Sequence, residues 1–368
     1  MRVRLTLVAL LAPLASVAAR QDPAVRRLGA PELRFAEPFS RIAGVAELPD
    51  GRLVVSDPLE GMVSLVDAAS RRQIGRQGQG PAEYVRPFSV NWLSRDTMVV
   101  HDSPGRRLFL IDRQGTARGT LPLEMSLWDS GGISPARGID ALGRIYFQQG
   151  RRPAAGGRMP STGRVIRWAP GSQRVETVAE LLVRDPEGRR MLNAFVARDG
   201  WDVAPDGTLL IARAGDYHVE WVTPAGRVRA GPPVQVRRVP FTDDELDAWL
   251  RGEGRQIAAE LRGRSSAGGA GELTAANLRR DWVFPAELPA FVPEAVLIAP
   301  GGEGWVVRSK AWDAPRHTVD IFDTAGRRTA VLELPPSRRL LGFGGRSVYL
   351  ARVGEDGLEW VERYALPE

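Results

Sequence analysis

Six copies of one pattern run through this chain, and their spacing limits what it can fold into more than any single motif does. The residue that opens the apolar second strand of each copy falls at Arg52, Thr97, Arg144, Thr208, Trp305 and Ser347, at intervals of 45, 47, 64, 97 and 42 residues. The first two copies are nearly parallel. Val45-Ala-Glu-Leu-Pro-Asp-Gly-Arg-Leu-Val-Val-Ser-Asp57 is followed by Val63-Ser-Leu-Val-Asp67, and Val90-Asn-Trp-Leu-Ser-Arg-Asp-Thr-Met-Val-Val-His-Asp102 by Leu108-Phe-Leu-Ile-Asp112. A unit in the low to middle forties, with several short strands joined by Gly-containing or polar turns, has the size of a propeller blade. One such sheet cannot bury both faces alone, so six of them are expected to close into a ring. The predicted fold is all-β: a six-bladed propeller of four-stranded antiparallel blades over 30–368.

The sixth copy stops after its third strand, Leu358-Glu-Trp-Val-Glu-Arg-Tyr364, which leaves its sheet without an outer strand. An open edge at a ring closure invites fraying and intermolecular pairing. The unpartnered apolar fragment Leu33-Arg-Phe35, which follows a polar lead from Gln21 to Gly29, supplies the missing strand. The termini are therefore expected to meet by hydrogen bonding, and the absence of Cys excludes a disulfide there.

Blade topology also sorts the loops. Links from second to third strand, and from one blade to the next, leave the ring on the same face. The unusual segments are all of this kind: Gly75–Tyr84 between blades one and two, Gln149–Gly163 within blade three, and Pro240–Pro289 between blades four and five. Within 240–289, Thr242-Asp-Asp-Glu245 reads as a capping box. Leu246, Trp249 and Leu250, then Ile257 and Leu261, follow at helical spacing, Ser265–Gly271 is a tip, and Leu273–Trp282 is a second short helix. A helical cap over one end of the ring is expected.

Composition narrows the function classes. Arg2 and Arg4, the apolar run Leu5–Leu14 and the small residues Val17-Ala18-Ala19 read as a signal peptide over 1–19, so an exported, periplasmic or extracellular protein with no membrane span is expected. Without Cys there is no lipid-anchored start, thiolate catalysis or thiolate zinc site. The net charge of +6 and pI near 10.3 come from scattered Arg, with Lys310 the single Lys, which reads as a solvated surface and not a nucleic-acid footprint.

Val54-Val-Ser-Asp57 and Val99-Val-His-Asp102, each followed by its third strand, resemble NHL-type six-bladed β-propellers. The connector Gly75-Arg-Gln-Gly-Gln-Gly-Pro-Ala-Glu-Tyr84 is similar to the Gly-x-Gly-x-Gly-Pro-x-Glu-aromatic link of exported bacterial propellers of unassigned function. A phosphate loop would need a following helix and a Lys or hydroxyl. Here Pro81 and a strand follow, so Gly75, Gly78, Gly80, Pro81, Glu83 and Tyr84 are read as a structural connector.

Two functions remain open at this stage. One is a non-enzymatic monomer that binds a protein or other extracytoplasmic ligand on the loop-rich face, with His101, Arg151, Arg152, His218, Trp249, Trp282, Trp312 and His317 as candidate contacts and no cofactor. The other is a metal-dependent hydrolase or lyase at the channel mouth, like the paraoxonase- and gluconolactonase-type propellers that hold a metal through carboxylate and Asn. Asn91, Asn193 and Asn277 are the only asparagines and form no matching set. Asp57 and Asp102 read as turn-fixing carboxylates, and His101, His218 and His317 as scattered hydrogen-bonding residues. No catalytic or metal residue is assigned.

Overall fold

The computed structural model describes residues 23–367 apart from 104, 156, 190, 253 and 255–274. Residues 1–19, read above as a signal peptide, and Ile257, Leu261 and the 265–271 tip lie outside the described residues. The chain is a six-bladed β-propeller. Its inner strands are Gly44–Glu47, Pro87–Trp92, Gly138–Ile139, Gly200–Val203, Phe291–Ile298 and Arg338–Phe343, with three further strands outside each and a fourth outside that of blade five.

The core lies in the seams between blades. Successive residues of a strand face opposite sides of its sheet, so Val54 packs with Val90, Met98 and Phe109 of blade two, while Val55 packs with Tyr349, Ala351 and Val361 of blade six. Four more apolar clusters fill the remaining seams. Burial on both faces explains why the second strands are continuously apolar instead of alternating. Where inner strands converge, a side chain does not fit. A Cβ on Gly200 would lie 2.6 Å from the Pro293 carbonyl, and one on Gly44 would lie 2.6 Å from the Val90 amide.

The ring closes as expected. Strand β2 (Leu33–Arg34) is the fourth strand of blade six, antiparallel to Glu359–Ala365 with Leu33 opposite Arg363. The Phe35 amide continues the ladder to Val361 O at 3.0 Å. Phe35 and Phe39 are buried in the seam between blades six and one. The lead before it is more than a polar tail. Strand β1 (Ala24–Arg27) adds a fifth, parallel strand outside Arg328–Glu333 of blade five, and Arg26 Nη1 reaches Glu303 at 2.9 and 3.0 Å. An outermost strand needs only backbone partners, so it carries no apolar pattern to betray it.

The insertion forms a cap with helices α1 (Asp243–Arg251) and α2 (Ala275–Asp281). Its base is held by the Phe241 amide on Ala286 O (2.9 Å) and the Leu288 amide on Val239 O (2.8 Å). Thr242 Oγ1 accepts the Glu245 amide at 3.3 Å, as a capping box requires. The Glu245 carboxylate does not return to Thr242. It accepts the Trp312 amide at 2.9 Å, tying the cap to blade five. No helix among the described residues is long and apolar enough to cross a membrane.

Candidate functional site

On the loop-rich face, the links into the inner strands are held by side chains at the ends of blade strands, some in the same blade and some in the next. Asp57, which ends the second strand of blade one, accepts the Arg41 amide at 2.9 Å, along with those of Leu59 and Glu60 at 2.9 and 3.1 Å. Asp102, at the same place in blade two, accepts the Val85 and Arg86 amides (3.0 and 2.9 Å) and Arg107 Nε (3.0 Å). Asp199 accepts the Ala214 and Leu182 amides, each at 2.9 Å, and Arg213 Nη1 at 2.8 Å. Glu359 accepts the Ile42 amide at 2.7 Å, Arg339 at 2.6 Å and Arg41 at 3.2 Å. Burial pushes the Asp57 carboxyl upward, partly offset by its backbone donors. These carboxylates are committed to amides and guanidinium groups, the turn-fixing role expected for Asp57 and Asp102.

His101 belongs to this set and is not a surface contact. Its side chain is buried, and Nδ1 accepts the Ala136 amide at 3.1 Å in the link to blade three. Burial lowers its pKa to about 4, against the opposing pull of Asp102. The ring is therefore neutral near pH 7, with its proton on Nε2. His218 lies between Asp216 Oδ1 (2.6 Å) and Glu220 Oε1 (3.3 Å). His317 is half-buried between blades five and six, where burial first, and then Lys310, lower its pKa to about 4. Among the described residues no group of three or more His, Asp or Glu is gathered that could hold a metal ion.

The three candidate tryptophans are brought together, but as packing. Trp249 is buried, and Trp282 and Trp312 are partly buried, in one cluster with Leu192, Phe195, Phe241, Leu246 and Leu278. Phe195, from the link into blade four, lies 4.9 Å from Trp249 and 6.4 Å from Trp312, ring centre to ring centre. The rings that looked available for stacking are what fastens the cap to the ring. Arg151 pairs with Glu180 at 2.6 Å, and Arg152 donates to Trp128 O at 3.1 Å, both on the loop of blade three.

The connector is closed on itself. Arg76–Gln77 pairs in parallel with Glu83–Tyr84. Glu83 accepts the Gly80 amide (2.7 Å) and Arg76 Nε (2.6 Å), Arg107 donates to the Gly78 and Gln79 carbonyls (both 2.8 Å), and Tyr84 Oη accepts the Val63 amide (2.9 Å). The loop's own carboxylate takes the amide that a phosphate would use. Gly75 has φ +66°, and a Cβ there would meet Phe109 and the Ala82 carbonyl inside 3 Å.

Two features escaped the sequence reading. An Arg stands within three residues of the start of the inner strand in five blades, at Arg41, Arg86, Arg137, Arg198 and Arg339. Aligning the copies on their inner strands would have exposed it. Arg137, just before the inner strand of blade three, bonds through Nε to Trp201 O at 3.0 Å and through Nη2 to Val296 O at 2.5 Å, so it ties blade three to the inner strands of blades four and five. The second is a groove of about 780 Å³ on the opposite face, lined by Asp206, Thr208, Trp221, Arg229, Ile298 and Thr324 among others.

No protein family and no curated protein matches the sequence. Solved structures similar to this chain include the calcium-binding protein regucalcin of Agrobacterium tumefaciens, with 14% identity and TM-score 0.46 over 93% of this chain and 97% of that one. Virginiamycin B lyase of Staphylococcus aureus gives 11% identity and 0.45 over 91% and 98%. A member of the DUF4221 family from Bacteroides vulgatus gives 10% and 0.49 over 91% and 96%.

Proposed function

We propose that the chain is an exported, non-enzymatic propeller that binds a protein or another extracytoplasmic ligand on its loop-rich, capped face. The observation that carries this reading is the commitment of Asp57, Asp102, Asp199, Glu359 and His101 to holding links. Groups so employed leave loops fixed in place before any ligand arrives, and preorganised loops on a rigid scaffold lower the cost of binding. The face also carries arginines at the rim of the channel, while its carboxylates are drawn inward. The basic start, short apolar run and small residues of 1–19 support export.

Three measurements on the purified full-length product test the reading. Mass spectrometry should find a mature chain beginning after Ala19. Metal analysis should find calcium and zinc well below one equivalent, and simple lactones and aryl esters should not be turned over. One equivalent of either metal held by three or more side chains at the channel mouth, or metal-dependent turnover, would replace the binding reading with a hydrolase or lyase.

A further inference from the structure

We propose that the outer edge of blade four is a second docking surface, which takes an extended acidic segment of another protein as an added strand. It borders the groove on the turn face and is separate from the capped face.

The outer strand of blade four is Val228–Ala230, and all three residues are exposed. The Thr223 amide donates to Arg227 O and the Gly231 amide to Val219 O, each at 2.9 Å, and Trp221 lies opposite Arg229. Residues 227, 229 and 231 therefore bond inward to the third strand, His218–Val222. In an antiparallel ladder the alternate residues turn their amides and carbonyls the other way, so Val228 and Ala230 present theirs to the open side of the sheet. Pro232 and Pro233, which have no amide to give, follow directly. The next blade shows what such an edge can hold. The outer strand of blade five, Arg328–Glu333, carries Ala24–Arg27 through backbone pairing, with an ion pair from Arg26 to Glu303.

The side chains select the partner. Arg227, Arg229 and Trp221 share one face of the sheet, the one toward blade five, where Trp221 Nε1 donates to Asp323 O at 2.9 Å. With Val228, Ile298 and Thr324 they line the groove of about 780 Å³. Arginines of other outer strands are engaged: Arg71 with Glu60 and Ser64, Arg118 with Asp112, and Arg328 with Asp320. The Arg227 and Arg229 guanidinium groups meet no carboxylate or carbonyl among the described residues. Asp206, the one carboxylate among the described residues lining the groove, accepts the amide and hydroxyl of its own Thr208 at 2.8 and 3.0 Å. Two cations face one carboxylate, so the groove is complementary to acidic side chains. The same charges select against a second copy of this chain. Two such edges paired about Val228 would set Arg227 opposite Arg229, and like charges across a ladder are destabilising, whereas Asp or Glu in those places stabilises the pair. The occupant is therefore an extended peptide whose backbone pairs with Val228 and Ala230 and whose carboxylates meet Arg227 and Arg229.

Fluorescence anisotropy tests this with the full chain and two labelled, end-blocked peptides, one alternating Glu with Val and the other Lys with Val. The Glu peptide should bind at least about tenfold more tightly than the Lys peptide, as two cross-strand pairs change from attraction to repulsion. Arg227→Glu combined with Arg229→Glu should invert that preference, which a chain that failed to fold would not do. Ala230→Pro alters no charge but removes an outward amide, and should weaken the Glu peptide by at least about threefold. In the unaltered chain, the Val228 and Ala230 amides should exchange more slowly once the Glu peptide is bound. Equal binding of the two peptides, or binding of neither, overturns the proposal. Glu-peptide binding that leaves both amides unprotected also overturns it, since that is charge attraction without an added strand. So does a dimer in sedimentation that Ala230→Pro abolishes, which places a second copy on this edge. None of these results bears on the metal and turnover measurements that test the capped face.

Discussion

The two ends of the ring use the same residue type in opposite ways. On the turn face a carboxylate closes its own hairpin: Asp112 accepts the Gln114 and Thr116 amides, Asp140 those of Leu142 and Arg144, and Asp323 those of Ala325 and Arg327. On the loop-rich face the carboxylates reach across the chain, Glu359 to Ile42 and Asp102 to Val85. A turn-face Asp therefore stabilises one hairpin, whereas a loop-face carboxylate holds an incoming link, Asp102 that of its own blade and Glu359 that of the next. The difference teaches which residues hold the ring as a unit, and it predicts a hierarchy of effects.

The largest effect should come from Glu359→Ala. It removes the carboxylate shared by Arg339, Arg41 and the buried Ile42 amide, and should cost about 3–5 kcal/mol in urea unfolding, the range for removing one partner of a buried charged network. A loss no greater than that of a turn-face Asp would erase the contrast between the faces.

Next is a pH effect through His101. Its pKa is about 4 in the folded protein and about 6.5 when unfolded, so between these values the unfolded chain binds the extra proton. Stability is fully present above pH 6.5 and falls as the pH drops toward 4, by up to about 3 kcal/mol. His317 titrates in the same window. His101→Asn keeps an acceptor for the Ala136 amide and should flatten the His101 share of the slope in denaturation at pH 7 and 4.5, whereas an unchanged slope would show that the ring is not the source.

Asp112→Ala, on the turn face, should cost about 1 kcal/mol, the scale of local hydrogen bonds. Thr242→Ala should cost a similar amount or less, and loosen the cap around Trp312 without moving the unfolding of the blades, which tryptophan fluorescence and far-UV circular dichroism together would separate. Arg26→Ala, which removes a partly buried pair from the added strand of blade five, should change the unfolding free energy by no more than about 0.5 kcal/mol.

What the sequence made legible follows the range of the interactions involved. Strand period, hairpin turns and the missing outer strand of blade six are local or compositional signals, and the propeller, its closure by Leu33–Arg34 and the capped face could be read from them. The parallel strand Ala24–Arg27 could not, because an edge strand at the ring's outside buries too little to need an apolar pattern. Trp249 and Trp312 belong to segments far apart in sequence, so nothing local distinguished a shared core from two exposed rings. His101 stood among the candidate face contacts because its partner, the Ala136 amide, lies in the next blade's link. The polar residues of the candidate site were visible as types, but their partners were set by the ring.

Amide hydrogen exchange tests the central claim most directly, that the loop-rich face is fixed in advance by buried side chains. The amides of Ile42, Val85, Arg86, Ala136 and Ala214, each bonded to a side chain, should exchange as slowly as those of the blade strands. Exchange of these five at the rate of open loops, with the strands still protected, would contradict the account.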